Sequence, residues 1–451
     1  MKEKHRMLIE HAWLLTIDPE NKVIDEGYIL IEDNRILEVG VQKEHTQELK
    51  STVDEIIDAE GMIVMPGLIN AHSHLFQTFT RSFADDKLLY PWLKEEIWPF
   101  ASAMEWDDFR LTSWLGCLEN IKNGATSVID QHYVHTFENS SDQVLLAMKE
   151  TGIRGVLCRT FSNYNYTPLL QEEDETILHS LDRLTMTYHQ SENGRLQISV
   201  GPINPWGCTV ELYQKTYDYA RNHGLKYQIH TAETTNVVDK CLEMYGLRNV
   251  HFFQDLGILG EDTQLAHAIW LDDEELHMVA QSNTSVIHCP VANMYLADGI
   301  ARIPEMRKRN ISVALGTDGP GSNNAQDMME VLKTAAILHK VNTLDPRVLS
   351  PEDVLQMATV EGAKMLGRHD IGRLMPGYVA DIIFVDWRKA HIAPVHKPAS
   401  AVVFCANGND VDTSIIDGKV IMRNRKVLGI DEQALIEECH VRARAIKKSL
   451  G

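Results

Sequence analysis

The chain has 451 residues, of which 44% are hydrophobic and 24% charged, and its formal net charge is −21 at pH 7. An acidic field of this size repels phosphate backbones, so no nucleic-acid partner is expected. No apolar run approaches the roughly 20 residues that a membrane-spanning helix needs, so no membrane partner is expected either.

The N-terminal segment and the cysteines together indicate a cellular compartment. The first residues are basic, but Glu10 and His11 interrupt the short apolar part and no small-residue cleavage site follows, which does not match a signal peptide. The seven cysteines form no CxxC pair and no disulfide framework, as is typical of a reducing environment. We therefore expect a cytoplasmic protein.

The two ends of the chain share a β-rich pattern. Residues 27–40 (GYILIEDNRILEVG) form two strand-like runs around Asp33-Asn34, a pattern typical of a hairpin. The last part of the chain again alternates strand-like runs with Gly and Asn. We expect residues 1–66 and 371–451 to build one small β-sandwich domain together, with a helix at the C-terminal end.

Residues 67–370 alternate strand-like runs with helical patterns, as is typical of βα units around a parallel sheet. Helical stretches such as 108–124 and 209–224 have apolar residues at three-four spacing and close on Gly. Eight units favour a closed (β/α)8 barrel over an open doubly wound sheet, since no GxGxxG follows a first strand. The strands are predicted at 62–74, 125–133, 153–161, 196–204, 225–233, 263–270, 284–293 and 311–319.

Histidines lie at the C-terminal ends of these strands, where barrels of this kind carry their chemistry. His72 and His74 are two residues apart on a strand and so point to the same face. Later strand ends add His230, His267, His288 and Asp318. Three imidazoles and one carboxylate make a site that suits Zn²⁺ best and that also accepts Fe²⁺ or Mn²⁺.

Four motifs carry a resemblance to a known family. PGLINAHSH, HTAE, LAHA and GTDG, in this order, resemble the amidohydrolase superfamily, and within it the aminohydrolases of heterocyclic amines, which include guanine, 8-oxoguanine, pterin and adenosylhomocysteine deaminases and the triazine hydrolases. The resemblance covers nearly the whole chain. It implies that His72, His74, His230 and Asp318 hold the metal. Binuclear members carry a bridging lysine or acid on the fourth strand; residues 196–206 contain neither, so one metal per chain is expected.

The same resemblance assigns three catalytic residues. Glu233, three residues after His230, would move a proton to the ring nitrogen beside the attacked carbon, which a buried carboxyl with a raised pKa can do. His267 would orient the attacking hydroxide or the developing oxyanion without binding the metal. Asp318 would also accept the water proton and pass it to the leaving amine. For His288 we expect a packing or supporting role.

Two departures from relatives argue against a nucleoside substrate. The deaminases of adenosylhomocysteine and methylthioadenosine that this sequence resembles carry an acid that binds the ribose hydroxyls; here Ala101 is at that position. They also carry a histidine that contacts the adenine; here Ile203 is at that position. The segment HLFQTFTR instead resembles the 8-oxoguanine, pterin and hydroxytriazine branch, in which a Gln stands at the position of Gln77. Trp92, in an aromatic-rich loop, and Arg159, which matches a substrate-contacting arginine of relatives, are the other expected substrate-binding residues.

These observations predict a mononuclear metal-dependent aminohydrolase. It would release ammonia from an exocyclic amino or imino group of a small heterocycle, such as a guanine-like base, a pterin, an aminotriazine or a creatinine-like ring. Displacement of chloride or an alkylamine from a triazine, and deamination of adenosylhomocysteine or methylthioadenosine, are the alternatives. A non-catalytic binding protein would be expected to have lost a ligand or Glu233, and neither is lost. The relatives imply a homo-oligomer, a dimer or larger.

Overall fold

Two β-sheets organise the chain, which the computed structural model describes for residues 4–42 and 44–451, the side chains of residues 44 and 45 excepted. The strands are β1 (Arg6–Leu15), β2 (Val23–Glu32), β3 (Arg35–Val41), β4 (Glu55–Asp58), β5 (Met62–Pro66), β6 (Leu68–Ser73), β7 (Ala125–His132), β8 (Arg154–Phe161), β9 (Leu196–Pro202), β10 (Tyr227–Thr231), β11 (Thr263–His267), β12 (Ser285–His288), β13 (Val313–Leu315), β14 (Ile382–Asp386), β15 (Val411–Ile416), β16 (Lys419–Arg423) and β17 (Lys426–Val427).

Helices cover the outside of the barrel and extend several of its loops. They are α1 (Glu44–Leu49), α2 (Leu89–Trp92), α3 (Trp98–Ala103), α4 (Trp106–Lys122), α5 (Ser140–Thr151), α6 (Asp174–Tyr188), α7 (Ser191–Gly194), α8 (Val210–His223), α9 (Thr235–Tyr245), α10 (Asn249–Asp255), α11 (Asp273–Gln281), α12 (Pro290–Tyr295), α13 (Ile303–Lys308), α14 (Pro320–Asn323), α15 (Met328–Thr343), α16 (Pro351–Gln356), α17 (Gly362–Met365), α18 (Pro398–Ser400) and α19 (Glu432–Ser449).

The first sheet is mixed and is built from both ends of the chain. Its order is β17-β16-β15-β14-β5-β1-β2-β3, with β4 paired to β1. The antiparallel pairing of β14 with β5 joins the C-terminal strands to the N-terminal ones. The predicted hairpin around Asp33-Asn34 is confirmed by the antiparallel pair β2 and β3. Side chains such as Ile9, Ile29 and Phe384 give this sheet its own buried core. The domain limits themselves stay a prediction.

The second sheet contains the eight parallel strands β6 to β13 in sequence order. Directly after β13, the backbone N–H of Asp318 donates to the carbonyl of His72 at the other edge, at 3.0 Å. The N–H of Thr317 donates to Asn70 Oδ1, also at 3.0 Å. These contacts bring the last strand against the first, and the predicted (β/α)8 barrel is confirmed.

The predicted first strand, residues 62–74, is in fact two strands. β5 belongs to the mixed sheet and β6 to the barrel, and the chain changes sheets at Gly67. A Cβ atom at Gly67 would lie 2.1 Å from Thr126 Oγ1, so glycine is required for the backbone to pass β7 this closely. The apolar run is continuous through both strands, and hydrophobic pattern alone cannot reveal the change.

Capping explains the ends of the two helices predicted at 108–124 and 209–224. α4 begins with a capping box at Glu105. α8 begins after Thr209, whose side chain accepts a backbone hydrogen bond, and it ends at Gly224 with a left-handed φ of +65°. Both predicted helices are therefore confirmed: side-chain capping sets the start of each, and the left-handed Gly224 ends α8.

The C-terminal helix α19 lies against the barrel. Arg442 Nε on this helix donates to Asp108 Oδ1 on α4 at 2.8 Å, and Cys439 Sγ donates to the carbonyl of Leu111 at 3.6 Å. Neither α19 nor any other helix in the described ranges is both long and apolar enough to cross a bilayer.

Candidate active site

Four histidines and one aspartate converge at the C-terminal mouth of the barrel. Asp318 Oδ1 lies 3.4 Å from His72 Nε2 and 3.2 Å from His74 Nε2, and His230 Nε2 lies 3.3 Å from His74 Nε2. Ligand atoms of His72, His74 and His230 lie within 4.8 Å of one another, and so do those of His72, His267 and Asp318. Five of the six strand-end residues singled out in the sequence therefore meet at one point, and the sixth, His288, does not.

The donor atoms at this point fit a divalent metal ion. Among the proposed ligands, His72 Nε2 and Asp318 Oδ1 are buried and have no hydrogen-bond partner within the described residues. Buried polar atoms without partners are costly, and a shared cation would compensate the exposed lone pairs. Imidazole nitrogens with one carboxylate oxygen form the donor set that Zn²⁺ and Fe²⁺ accept.

The other ring nitrogen of each proposed histidine ligand is held by an oxygen acceptor. Because an oxygen acceptor there requires a hydrogen on Nδ1, each Nε2 keeps its lone pair for a metal. The three contacts, all 2.7 Å long, join His72 Nδ1 to Gln228 Oε1, His74 Nδ1 to the carbonyl of Gln131, and His230 Nδ1 to the carbonyl of Ile203.

Two of the proposed ligands, His230 and Asp318, have the charge states that metal binding requires. Burial lowers the pKa of His230 well below its ordinary value, and neighbouring imidazoles lower it further. Burial alone would raise the pKa of Asp318, but its contacts with His72 and His74 hold it well below the ordinary value. The neutral imidazole of His230 and the ionised carboxylate of Asp318 are therefore the forms present near neutral pH, and these forms bind a metal.

Glu233 is a buried acid beside this group. Its side chain lies at the start of the loop after β10, with Oε1 3.7 Å from His267 Nε2, and the residue is only 7% exposed. Burial raises its pKa well above the ordinary value, and the charges of Asp298 and Asp318 raise it further. Glu233 can thus hold a proton at a pH where an exposed glutamate has lost it.

In His267 the ring hydrogen is on the other nitrogen from that in the proposed histidine ligands. Asn293 Nδ2 lies 2.9 Å from His267 Nδ1 and also donates to Asp298 Oδ2 at 3.3 Å. Burial raises the pKa of Asp298 to about 7, and the ionised carboxylate can only accept. With Asp298 ionised, the amide nitrogen therefore faces both partners, and His267 Nδ1 accepts. The hydrogen of His267 is therefore on Nε2, where it can be donated to an oxygen in the site.

Several non-glycine residues at the site have left-handed backbones. The φ angle is +68° at His267, +62° at Asp318 and +45° at Ala232, which directly precedes Glu233. Such conformations cost of order 1–3 kcal/mol each and persist where the surroundings enforce them, often at functional sites. Strain at three positions around one pocket is consistent with a built active site.

A cavity of about 650 Å³, counted with its opening to solvent, lies above these residues. Aromatic side chains form much of its wall, and Glu233 and Asp318 are the only carboxylates among the described lining residues. The aromatic members are Tyr90, Trp92, Tyr133, Tyr166 and Trp206. Such a wall favours contacts with a flat ring.

Two of the three predicted substrate-binding residues line the cavity. Gln77 Oε1 accepts from the N–H of Gly321 at 3.2 Å. Its amide nitrogen therefore faces the cavity and lies 3.4 Å from the Tyr133 hydroxyl. Trp92 is 3% exposed and its indole nitrogen has no partner among the described residues. Both side chains can therefore meet a ligand.

The structure does not bring Arg159 to the cavity wall. Its guanidinium is buried and paired with Glu172 Oε1 at 2.6 Å and with the carbonyl of Thr160 at 2.7 Å. His288 also lies outside the wall, with Nε2 3.1 Å from His339 Nε2. Ile203 does line the cavity, whereas Ala101 is buried in α3 away from it.

Sequence reasoning missed several wall residues. Tyr133 follows β7 directly, and Asn204 and Trp206 follow β9, so the strand-end rule could have found all three. Tyr166 and Leu296 lie in longer loops, and nothing in their local sequence marks them as pocket residues.

Comparison with known proteins places these features in a family. The sequence pattern of the amidohydrolase family matches residues 63–421. The chain is 38% identical to 5'-deoxyadenosine deaminase of Methanosarcina mazei over 98% of both chains. It is 36% identical to 5-methylthioadenosine/S-adenosylhomocysteine deaminase of Pelotomaculum thermopropionicum, over 97% of this chain and 98% of the relative. The crystal structure of an adenosine deaminase from Xanthomonas campestris with bound zinc has the same fold, with a TM-score of 0.91, 26% identity and 98% of each chain covered. The chain therefore belongs to the amidohydrolase family, and it is a hydrolase of carbon–nitrogen bonds.

Proposed function

We propose that the protein is a mononuclear metal-dependent deaminase that removes an exocyclic amino group from a heterocycle as ammonia. The observation that carries this proposal is the position of Glu233, a buried acid with a raised pKa, beside a cluster of imidazoles and a carboxylate at the floor of an aromatic cavity. A proton donor next to a metal-binding group is what hydrolysis of a cyclic amidine needs.

His72, His74, His230 and Asp318 would hold one divalent ion, with Zn²⁺ favoured by the nitrogen-rich donor set and Fe²⁺ or Mn²⁺ as alternatives. A metal ion bound there would activate a water molecule for attack on the ring carbon. No lysine or acid occurs in residues 196–206 to bridge a second ion, which supports a single metal.

The side chains then move protons at stated atoms. Asp318 Oδ1, which lies 3.2 Å from His74 Nε2, takes one proton of the attacking water. Glu233 protonates the ring nitrogen beside the attacked carbon, and His267 Nε2–H donates to the new oxygen. The C–N bond breaks as Asp318 returns its proton to the amine, which leaves as ammonia, while the hydroxyl proton restores Glu233.

Our first candidate substrate is an uncharged heterocyclic amine without a sugar. Beyond Glu233 and Asp318, the described cavity wall offers no carboxylate that could bind a ribose diol. The position where nucleoside-deaminating relatives carry an adenine-binding histidine is the apolar Ile203, which lines the cavity.

A 5'-deoxynucleoside is the second candidate. The relative from Methanosarcina mazei, 38% identical over nearly the whole chain, is named for 5'-deoxyadenosine, and aromatic and aliphatic side chains form most of the cavity wall. The apolar wall would suit the uncharged 5' end of such a nucleoside better than the charged tail of adenosylhomocysteine. Triazine chlorohydrolysis remains a third candidate reaction.

The test is ammonia release by Zn²⁺-loaded protein across a substrate panel. The panel contains guanine, 8-oxoguanine, a pterin, an aminotriazine and creatinine, then adenosine, 5'-deoxyadenosine and adenosylhomocysteine, and a chlorotriazine assayed for chloride. The first candidate predicts a higher kcat/KM for a free base than for any nucleoside. A higher value for 5'-deoxyadenosine would establish the second candidate, and no turnover of any member by metal-loaded protein would contradict the proposal.

A further inference from the structure

Buried amides occupy the barrel interior directly beneath the proposed metal ligands. Barrels of this class normally fill that space with branched apolar side chains. Here Gln228 on β10 and Gln264 on β11 point inward, and they are 0% and 2% exposed. A buried amide is costly unless its hydrogen bonds are satisfied, so their partners indicate what the two residues do.

The amides form a hydrogen-bonded chain that ends at a metal ligand. Gln264 Nε2 donates to the carbonyl of Met365 at 2.7 Å. Gln228 Nε2 donates to Gln264 Oε1 at 2.9 Å and to the carbonyl of Ala71 at 3.2 Å. Gln228 Oε1 lies 2.7 Å from His72 Nδ1.

This chain has a single self-consistent direction. The Met365 carbonyl can only accept, so Gln264 must present its nitrogen there and its oxygen to Gln228. Gln228 must then present its own nitrogen to Gln264 and its oxygen to His72. His72 Nδ1 therefore carries the hydrogen, and Nε2 keeps the lone pair that faces the other ligands.

We infer that Gln228 and Gln264 are positioning residues which, through the carbonyl of Met365, fix the tautomer and ring orientation of His72 for metal binding. The inference rests on the proposed metal site. His72 is the member common to both groups of ligand atoms that lie within reach of one another, so its orientation affects the whole set. Partners of this kind typically change metal affinity by about 10–100-fold when removed.

The test measures Zn²⁺ affinity by competition with a chromophoric chelator, and the visible spectrum of the Co²⁺-loaded protein. Gln228→Leu removes the acceptor at His72, and Gln228→Glu keeps an acceptor there. Gln264→Leu leaves the acceptor but removes the group that orients it. The matched control is Gln197→Leu on β9: Gln197 is likewise buried, 5% exposed, and within the described part of the chain it donates to none of the proposed ligands.

We expect Gln228→Leu to weaken Zn²⁺ binding about 10–100-fold and to shift the Co²⁺ spectrum, with a smaller loss for Gln264→Leu. Gln228→Glu should recover most of the affinity, and Gln197→Leu should bind like the wild type. Affinities within twofold of the wild type in both Leu variants at 228 and 264 would overturn the inference. If Gln228→Leu does not fold, Gln264→Leu and Gln228→Glu decide. A wild-type protein without metal affinity would instead overturn the proposed function.

Discussion

The backbone N–H of Asp318 donates to the carbonyl of His72 at 3.0 Å, across the seam where the last barrel strand meets the first. The fit at this seam is close, since a Cβ atom at Gly316 would lie 2.9 Å from both N and O of His72. The same two residues bring their side chains together, with Asp318 Oδ1 3.4 Å from His72 Nε2. The contacts that close the barrel therefore also bring the proposed metal ligands together.

This geometry predicts one tightly bound metal ion per chain. His72→Ala and His230→Ala should each lose the metal and the activity together, because each removes one of the close nitrogen donors. A chelator should abolish activity, and added Zn²⁺ should restore it. The measurement is metal content by mass spectrometry beside ammonia release, with His369→Ala, an exposed histidine, as control. Two tightly held ions per chain would refute the single-metal argument.

Glu233→Gln should separate binding from chemistry. The change keeps shape and hydrogen-bonding capacity but removes the proton that burial holds on this carboxyl by raising its pKa. General acid–base catalysis typically contributes about 10²–10⁴ in rate, so kcat should fall at least about a hundredfold while metal content and KM stay near normal.

The control for this variant is Glu243→Gln, on α9, a residue outside the cavity wall. Its kinetics should match the wild type. A drop in kcat of less than threefold for Glu233→Gln at full metal occupancy would leave Glu233 without a catalytic role.

Asn293 should affect catalysis through its hydrogen bond to His267. Asn293→Leu removes the donor to His267 Nδ1, so the imidazole can place its hydrogen on Nδ1 and lose the Nε2–H that serves the oxygen in the site. We expect kcat to fall by about tenfold or more, with little change in Zn²⁺ content. Asn293→Asp is the comparison that keeps size but removes the donor, and it should behave like the Leu variant. Unchanged kcat in both would show that His267 does not act as a donor.

The sequence was enough to predict that the histidines and Asp318 come together, because the C-terminal ends of parallel barrel strands meet at one face. His230, His267 and Asp318 all lie more than 150 residues beyond His72 in the chain. Their places at the end of β10, at the end of β11 and shortly after β13 were nevertheless enough to predict that they meet. The substrate pocket does not follow such a rule. Arg159 stands at the end of β8 but pairs with Glu172 instead of facing the cavity, because a loop beyond the strand supplies a carboxylate.

The change from one sheet to the other at Gly67 could not be predicted from the hydrophobic pattern either. β5 and β6 are both buried along most of their length, so neither strand shows the alternation that would mark which sheet it joins. The Gln228–Gln264 pair was also missed, since an isolated Gln in a strand pattern carries no signal until its partners are known. Packing partners, unlike strand ends, are set by the tertiary structure.

Acid should destabilise the protein through its buried histidines. Burial lowers the pKa of His339 to about 4, from an ordinary value of 6.5. Between these values the unfolded chain takes up a proton that the folded chain does not. The neutral ring therefore makes its full contribution to the free energy of unfolding above about pH 6.5. This contribution is lost as the pH falls toward 4, by up to about 1.4 kcal/mol per pH unit.

His339→Gln should flatten this dependence while keeping a donor toward His288 Nε2, which lies 3.1 Å from His339 Nε2. The measurement is the free energy of unfolding in urea at several pH values from 4.5 to 7.5, with both proteins at the same Zn²⁺ concentration. Parallel profiles for the variant and the wild type would show that His339 does not contribute to the acid sensitivity.

The last prediction concerns Lys240, a half-buried lysine on α9 that connects two parts of the cavity rim. Its Nζ lies 3.4 Å from the centre of the Trp206 ring and 5.5 Å from that of Tyr90, and it donates to the Tyr90 hydroxyl at 3.4 Å. Tyr90 lies on α2 and Trp206 lies after β9, and both line the cavity. A cation between the two rings fixes their relative position. Each cation–π contact of this kind typically contributes about 0.5–2 kcal/mol of stabilisation.

Lys240→Met keeps the length of the side chain and removes its charge. Because the substrate binds between walls that would now move independently, we expect KM to rise about 2–30-fold, the range that corresponds to the energy of the lost contacts. The kcat value should change little, since Lys240 does not contact Glu233 or the proposed metal ligands. Lys240→Arg keeps the cation over the rings and should retain a near-normal KM. Steady-state kinetics on the best substrate of the panel checks this, and a KM for Lys240→Met equal to that of Lys240→Arg would mean that the cation does not organise the rim.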